Sequence, residues 1–155
     1  MLVVGKNIAQ KGLKIKGFYS QIELSGKADM AWHLSSKGFL MTLSSYIPSL
    51  IEKGFKNLII KALSEYNLKE NQIDYWAIHP GGRKILDVIT KELLIEQVQI
   101  GASYKVLSDY GNMSSPTILF VIKSILDNGV KSGDNILGAA FGPGLTMETM
   151  ALEVV

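Results

Sequence analysis

Apolar residues recur at intervals of three and four through Leu50, Ile51, Phe55, Leu58, Ile59, Ala62, Leu63 and Tyr66, the stripe of a helix with one buried face. Pro48 suits the first turn of that helix and Asn67 a left-handed cap at its end. A second stripe, Ile85, Leu86, Ile89, Leu93 and Leu94, predicts a helix after Gly82, and a shorter helix is expected from Ser103 to Tyr110, stopped by Gly111. A further helix carries Ile118, Leu119, Ile122, Ile125 and Leu126, with Ser115 as its N-cap, Pro116 in its first turn and Gly129 at its end.

Elsewhere the pattern is that of strands. Leu13 to Leu24 and Met30 to Leu43 are β-rich, broken by Ser25-Gly26-Lys27 and Lys37-Gly38, and read as an extended antiparallel ribbon. Asp74 to Ile78 is a short run of aromatic and branched residues, expected to be buried on both faces of a helix-covered sheet. Asn135 to Phe141 and Leu145 to Val154 predict two strands joined by Gly142-Pro143-Gly144, and Met1 to Val4 reads as the tail of another strand. That last stretch begins with no polar lead-in, as a fragment of a longer protein would. The order of elements implies an α/β fold, a mixed, mostly β sheet with helices packed on it, in one domain spanning 1–155 with no repeat and no linker.

Composition narrows the class. A chain of 155 residues that is 47% hydrophobic and 19% charged can bury a core and is not disordered. Its longest apolar runs, such as Ile118 to Ile122, fall far short of the roughly 20 residues a membrane span needs, and the amino terminus lacks the pattern of a signal peptide, so a cytoplasmic location is expected. Net charge is +2 with interspersed signs, and the mild cluster Lys6, Lys11, Lys14 and Lys16 reads as a solvated face, not a nucleic-acid surface. Zero cysteines exclude disulfides, and with only His33 and His79 no metal site is expected. Asn112-Met113-Ser114 fits a glycosylation pattern, but nothing in the sequence indicates secretion.

The candidate chemistry centres on Ile78-His79-Pro80-Gly81-Gly82. Pro80 disfavours helical backbone at His79, so the ring projects from a strand end, and the two glycines allow a sharp turn and the close approach of a ligand. Crevices at the carboxyl ends of strands are where α/β proteins bind ligands. A histidine satisfied within an ordinary turn is equally compatible with this stretch taken alone. Gly111-Asn112-Met113-Ser114-Ser115 offers a carboxamide as a second hydrogen-bond donor, and the two stretches read as one site.

Three segments in register, Trp76-Ala77-Ile78-His79-Pro80-Gly81-Gly82, Val106-Leu107-Ser108-Asp109-Tyr110-Gly111-Asn112-Met113-Ser114-Ser115 and Phe141-Gly142-Pro143-Gly144-Leu145-Thr146-Met147-Glu148, resemble the carboxyl-terminal half of a type III polyketide synthase. This is the chalcone/stilbene synthase-like family, with a thiolase fold. The resemblance runs from about Leu2 to the end, through Gly38-Phe39-Leu40-Met41 and Ile47-Pro48.

It implies an acyltransferase in which a cysteine accepts a starter acyl group from coenzyme A and malonyl-CoA is decarboxylated to an enolate that attacks the acyl thioester. It places His79 and Asn112 in the catalytic histidine and asparagine positions, as oxyanion donors to the thioester oxygen. A protonated His79 could also stabilise a nearby thiolate. Phe141, Gly142, Pro143 and Gly144 match the loop that shapes the cyclisation pocket, and Met41 falls where plant members often carry a gatekeeper phenylalanine. Trp32 stands where plant chalcone synthases have glycine, which would narrow the cavity if its ring faces it. The substrates implied are acyl-CoA and malonyl-CoA, with no bound cofactor, and the partners implied are an absent amino-terminal half that carries the cysteine and a second copy in a homodimer. The expectation is therefore a domain inactive by itself; the alternative is a non-catalytic thiolase-like subunit that binds acyl-CoA or completes a partner's fold.

Overall fold

The computed structural model describes residues 12–155, so the strand expected at Met1 to Val4 lies outside the described residues. The chain forms β1 (Leu13–Ile22), β2 (Met30–Ser35), β3 (Gly38–Leu43), α1 (Ile47–Tyr66), β4 (Tyr75–Ile78), α2 (Arg83–Glu92), α3 (Gln97–Tyr110), α4 (Thr117–Asp127), β5 (Asn135–Gly142) and β6 (Thr146–Val154). Four strands make one mixed sheet in the order β1-β6-β5-β4. β4 runs parallel to β5, while β5 with β6 and β6 with β1 are antiparallel.

Side-chain alternation along the strands divides the core between the two faces of this sheet. Trp76, Ile78, Leu137, Ala139, Met147 and Ala151 pack with α1 and α2, whose Ile51, Phe55, Leu58, Leu86 and Ile89 are fully buried. On the opposite face Ala77, Ile136, Leu152 and Val154 pack with Val106 of α3 and with Val121, Ile122 and Ile125 of α4. Burial of β4 on both faces follows from helices on both sides.

α1 starts with Pro48 in its first turn and ends at Asn67, whose backbone is left-handed at φ 54°, as expected. Three expectations are corrected. Leu13 to Leu24 does not join Met30 to Leu43 in one ribbon: β1 pairs with β6, Leu13 opposite Val154, and only β2 and β3 form the two-stranded ribbon. α3 begins at Gln97, six residues before Ser103, because Gln99 turns back to accept the Glu96 N–H and starts the helix earlier than its apolar stripe shows. Ser115 is not the N-cap of α4; that position is Pro116, and no side chain caps it.

Candidate active site at the carboxyl end of strands β4 and β5

His79 directly follows β4, and its N–H donates to the Ala139 carbonyl of β5 at 2.8 Å, continuing the parallel ladder one residue beyond the strand. The chain then folds back, the Gly81 N–H donating to the His79 carbonyl at 2.9 Å. A methyl group placed on Gly81 would lie 3.9 Å from His79 Cδ2, so the imidazole borders Gly81 on one side. The ring is half-buried, and desolvation holds its pKa below the ordinary 6.5, which favours the neutral imidazole.

Asn112 reaches the same residue from elsewhere in the chain. α3 stops at Gly111, whose φ of 70° lets the chain leave the helix sharply, and the exposed Asn112 follows. Asn112 Nδ2 donates to the Gly81 carbonyl at 3.3 Å, while its Oδ1 accepts the Ser114 N–H at 2.9 Å. The carboxamide is thereby oriented, with its NH2 group toward the His79 turn. A neutral imidazole N–H and a carboxamide N–H flanking one glycine can both donate to an oxygen that gains negative charge.

The loop Gly142-Pro143-Gly144 starts at the last residue of β5, at the same end of the strand. Phe141 packs on Phe55 of α1 with ring centroids 5.7 Å apart, half-buried against the core. A side chain at Gly142 would meet Thr146 Oγ1, and Gly144 has φ 124°, so this tight link between β5 and β6 needs both glycines. The Gly144 N–H donates to the Met30 carbonyl at 3.0 Å, tying the loop to the base of the ribbon. Met41 is on that ribbon, directly opposite Trp32, and both are exposed. Met30, Trp32, Leu34 on β2 and Phe39, Met41, Leu43 on β3 share one face by register and alternation. The structure thus brings His79 and Asn112 to one residue and joins the Phe141 to Gly144 loop to the ribbon bearing Met41.

Two concavities, of about 400 and 290 Å³, lie elsewhere: one is lined by Ile73, Trp76, Leu93 and Gln99, the other by Tyr75, Val98, Ala102 and Ile125. Neither is lined by His79 or Asn112. Among the described residues no group of three or more His, Cys, Asp or Glu side chains could hold a metal ion. No helix among them is long and apolar enough to cross a membrane.

Two further residues at this site have no motif in the sequence to mark them. Ser103, fully buried on α3, accepts the Ile78 N–H at 3.1 Å, and Thr117, fully buried on α4, accepts the Met113 N–H at 2.8 Å. The available signal for Ser103 was a lone hydroxyl on the apolar stripe between Ile100 and Val106.

A family model for the C-terminal domain of chalcone and stilbene synthases matches residues 19–155. A chalcone synthase-like protein of Bacillus subtilis (strain 168) is 36% identical over 122 residues, covering 78% of this chain and 33% of that protein. Among solved structures, the C-terminal type III polyketide synthase domain of Steely1, a type I/III hybrid from Dictyostelium, superposes with a TM-score of 0.82 at 26% identity, covering 91% of this chain and 40% of the other. PKS-I from the brown alga Ectocarpus siliculosus gives 0.85 at 26% identity, covering 98% and 42%. A type III pentaketide synthase from Neurospora crassa gives 0.81 at 25%, covering 91% and 41%. The chain therefore spans a third to two fifths of the length of these relatives.

Proposed function

The chain belongs to the chalcone and stilbene synthase family, as its C-terminal domain with the mixed α/β fold of type III polyketide synthases, and on that premise we propose that it supplies the oxyanion-stabilising half of a decarboxylative condensing site. The observation that carries this reading is the approach of Asn112 Nδ2 to the Gly81 carbonyl, in the turn that His79 opens. In the proposed reaction the carbon–carbon bond to the carboxylate of malonyl-CoA breaks, carbon dioxide leaves, and the electron pair becomes an enolate whose oxygen accepts hydrogen bonds from His79 and Asn112. The enolate carbon then attacks an acyl thioester, and the thiolate leaves.

That thiolate must come from outside these 155 residues, which contain no cysteine. The proposed source is an amino-terminal portion such as the longer relatives possess. Two apolar surfaces suit its docking: the Trp32, Leu34, Phe39, Met41 face of the ribbon, and Leu119, Phe120 and Leu126 on the outer side of α4. Under this reading Met41 and the loop from Phe141 to Gly144 border the substrate cavity, the substrates are acyl-CoA and malonyl-CoA, no cofactor is needed, and the complete protein is a homodimer. Purified chain supplied with both thioesters should give no polyketide, while co-expression with a cysteine-bearing amino-terminal portion should restore product. Turnover by the chain alone would overturn the division of labour.

A further inference from the structure

Three polar side chains are fully or almost fully buried among the described residues: Ser103, Thr117 and Thr149. Thr149 belongs to the junction of α1, β6 and β1, where its hydroxyl donates to the Tyr19 carbonyl at 2.9 Å and receives the Tyr66 hydroxyl at 2.7 Å. The other two flank the candidate site. Ser103 Oγ accepts the N–H of Ile78, the residue before His79, and Thr117 Oγ1 accepts the N–H of Met113, the residue after Asn112.

Each hydroxyl answers a need that regular structure leaves open. Among the described residues β4 is an edge strand of the sheet and its outward N–H groups have no ladder partner, and α3 covers that edge. Ser103 satisfies Ile78 there, and Gln99, one turn earlier on α3, donates to the Ile73 carbonyl at 3.0 Å. At Asn112 the chain has left α3 and not yet entered α4. Ser114, left-handed at φ 64°, turns it, and Thr117 holds the Met113 N–H inside that turn. Backbone strain of this kind persists only where surrounding contacts hold it.

We propose that Ser103 and Thr117 are positioning residues for the His79–Asn112 pair, each fixing the backbone beside one of the two side chains so that imidazole and carboxamide address a single oxygen. This rests on the oxyanion reading above. Donors to an oxyanion act only at the right distance and direction, and a displacement of about 1 Å can cost on the order of 10² in rate. Two hydroxyls on two helices, each bonded to the backbone N–H one residue from a donor, are a means of holding that geometry.

The test uses a pair of opposed substitutions. Thr117→Val keeps the shape and removes the hydroxyl; Thr117→Ser keeps the hydroxyl and removes a buried methyl. If Thr117 positions Asn112, Thr117→Val speeds hydrogen exchange at the Met113 amide and shifts the Asn112 side-chain NH2 resonances of the chain, and Thr117→Ser leaves both in place. With this chain as the carboxyl-terminal part of a complete synthase, Thr117→Val and Ser103→Ala should each lower kcat on the order of tenfold with KM nearly unchanged, and Thr117→Ser should retain kcat. The opposite order, with serine damaging and valine harmless, would show a packing role and overturn the proposal. Should Thr117→Val fail to fold, Ser103→Ala, read by exchange at the Ile78 amide and by kcat, decides the matter in the same way. Full turnover in His79→Ala and Asn112→Ala would instead defeat the oxyanion reading, whatever the amides of the Thr117 variants show.

Discussion

At the scale of single residues, the state of His79 follows from its burial. Desolvation penalises the imidazolium and lowers the pKa, so at neutral pH the ring is a neutral donor. A thiolate brought beside it would act in the opposite direction, favouring the charged form. In the chain alone the folded state binds the proton more weakly than the unfolded state, whose pKa is near 6.5. Stability from His79 is therefore present above pH 6.5 and is lost as pH falls through that value toward the folded pKa. Thermal unfolding of the chain should lose more between pH 7 and pH 5 than that of His79→Gln; equal losses would contradict the shift. In an assembled synthase, His79→Ala and Asn112→Ala should each reduce malonyl-CoA decarboxylation by roughly 10² to 10³, the usual effect of one oxyanion donor. A loss below tenfold in both would remove them from the proposed role.

Among the elements, α1 was the most legible in the sequence, because a 3.6-residue stripe, a first-turn proline and a left-handed asparagine are all local signals. The apolar stripe shows α3 shorter than it is, since its first turns carry Gly101 and few buried apolar groups; the signal that starts it is the hydrogen bond from the Glu96 N–H to Gln99. The pairing of β1 with β6 is not legible locally, because the two strands lie more than 120 residues apart. α1 is held to that strand pair by Tyr66, whose hydroxyl donates to Thr149 while Thr149 donates to the Tyr19 carbonyl. Tyr66→Phe keeps the ring and removes one buried hydrogen bond, and should destabilise the chain by about 1 kcal/mol in urea unfolding. An unchanged midpoint would mean that the bond contributes nothing net.

On the scale of the whole molecule, the outstanding feature is apolar surface that the described residues leave open. Leu34 is 82% exposed, Phe39 73% and Trp32 54%, all on one face of a ribbon whose other face carries Ala31, His33 and Ser35 opposite Thr42, the exposed Leu40 and Gly38. A two-stranded ribbon is marginally stable by itself, so such a face calls for a covering surface. α4 keeps Lys123 and Asp127 paired on its solvent side but also exposes Leu119, Phe120 and Leu126, apolar side chains beyond its buried Val121, Ile122 and Ile125. The chain alone should therefore self-associate, and Leu34→Asp combined with Phe39→Lys should reduce its mean mass in light scattering without altering its helix content. A stable monomer at high concentration would count against these faces as docking surfaces.

The local sequence determined most of the helices, the short buried strand, the hairpin around Gly142-Pro143-Gly144 and the motifs that mark the family, because periodicity, caps and turn residues are written in consecutive positions. Only the tertiary structure decided that β1 joins β6, that α3 covers the edge of β4 through Ser103, and that Asn112 meets Gly81 across 31 positions of chain. Those are contacts between distant residues. They leave no period in the sequence, since a hydroxyl or a carboxamide acquires its partner only when the sheet and helices that carry both have packed.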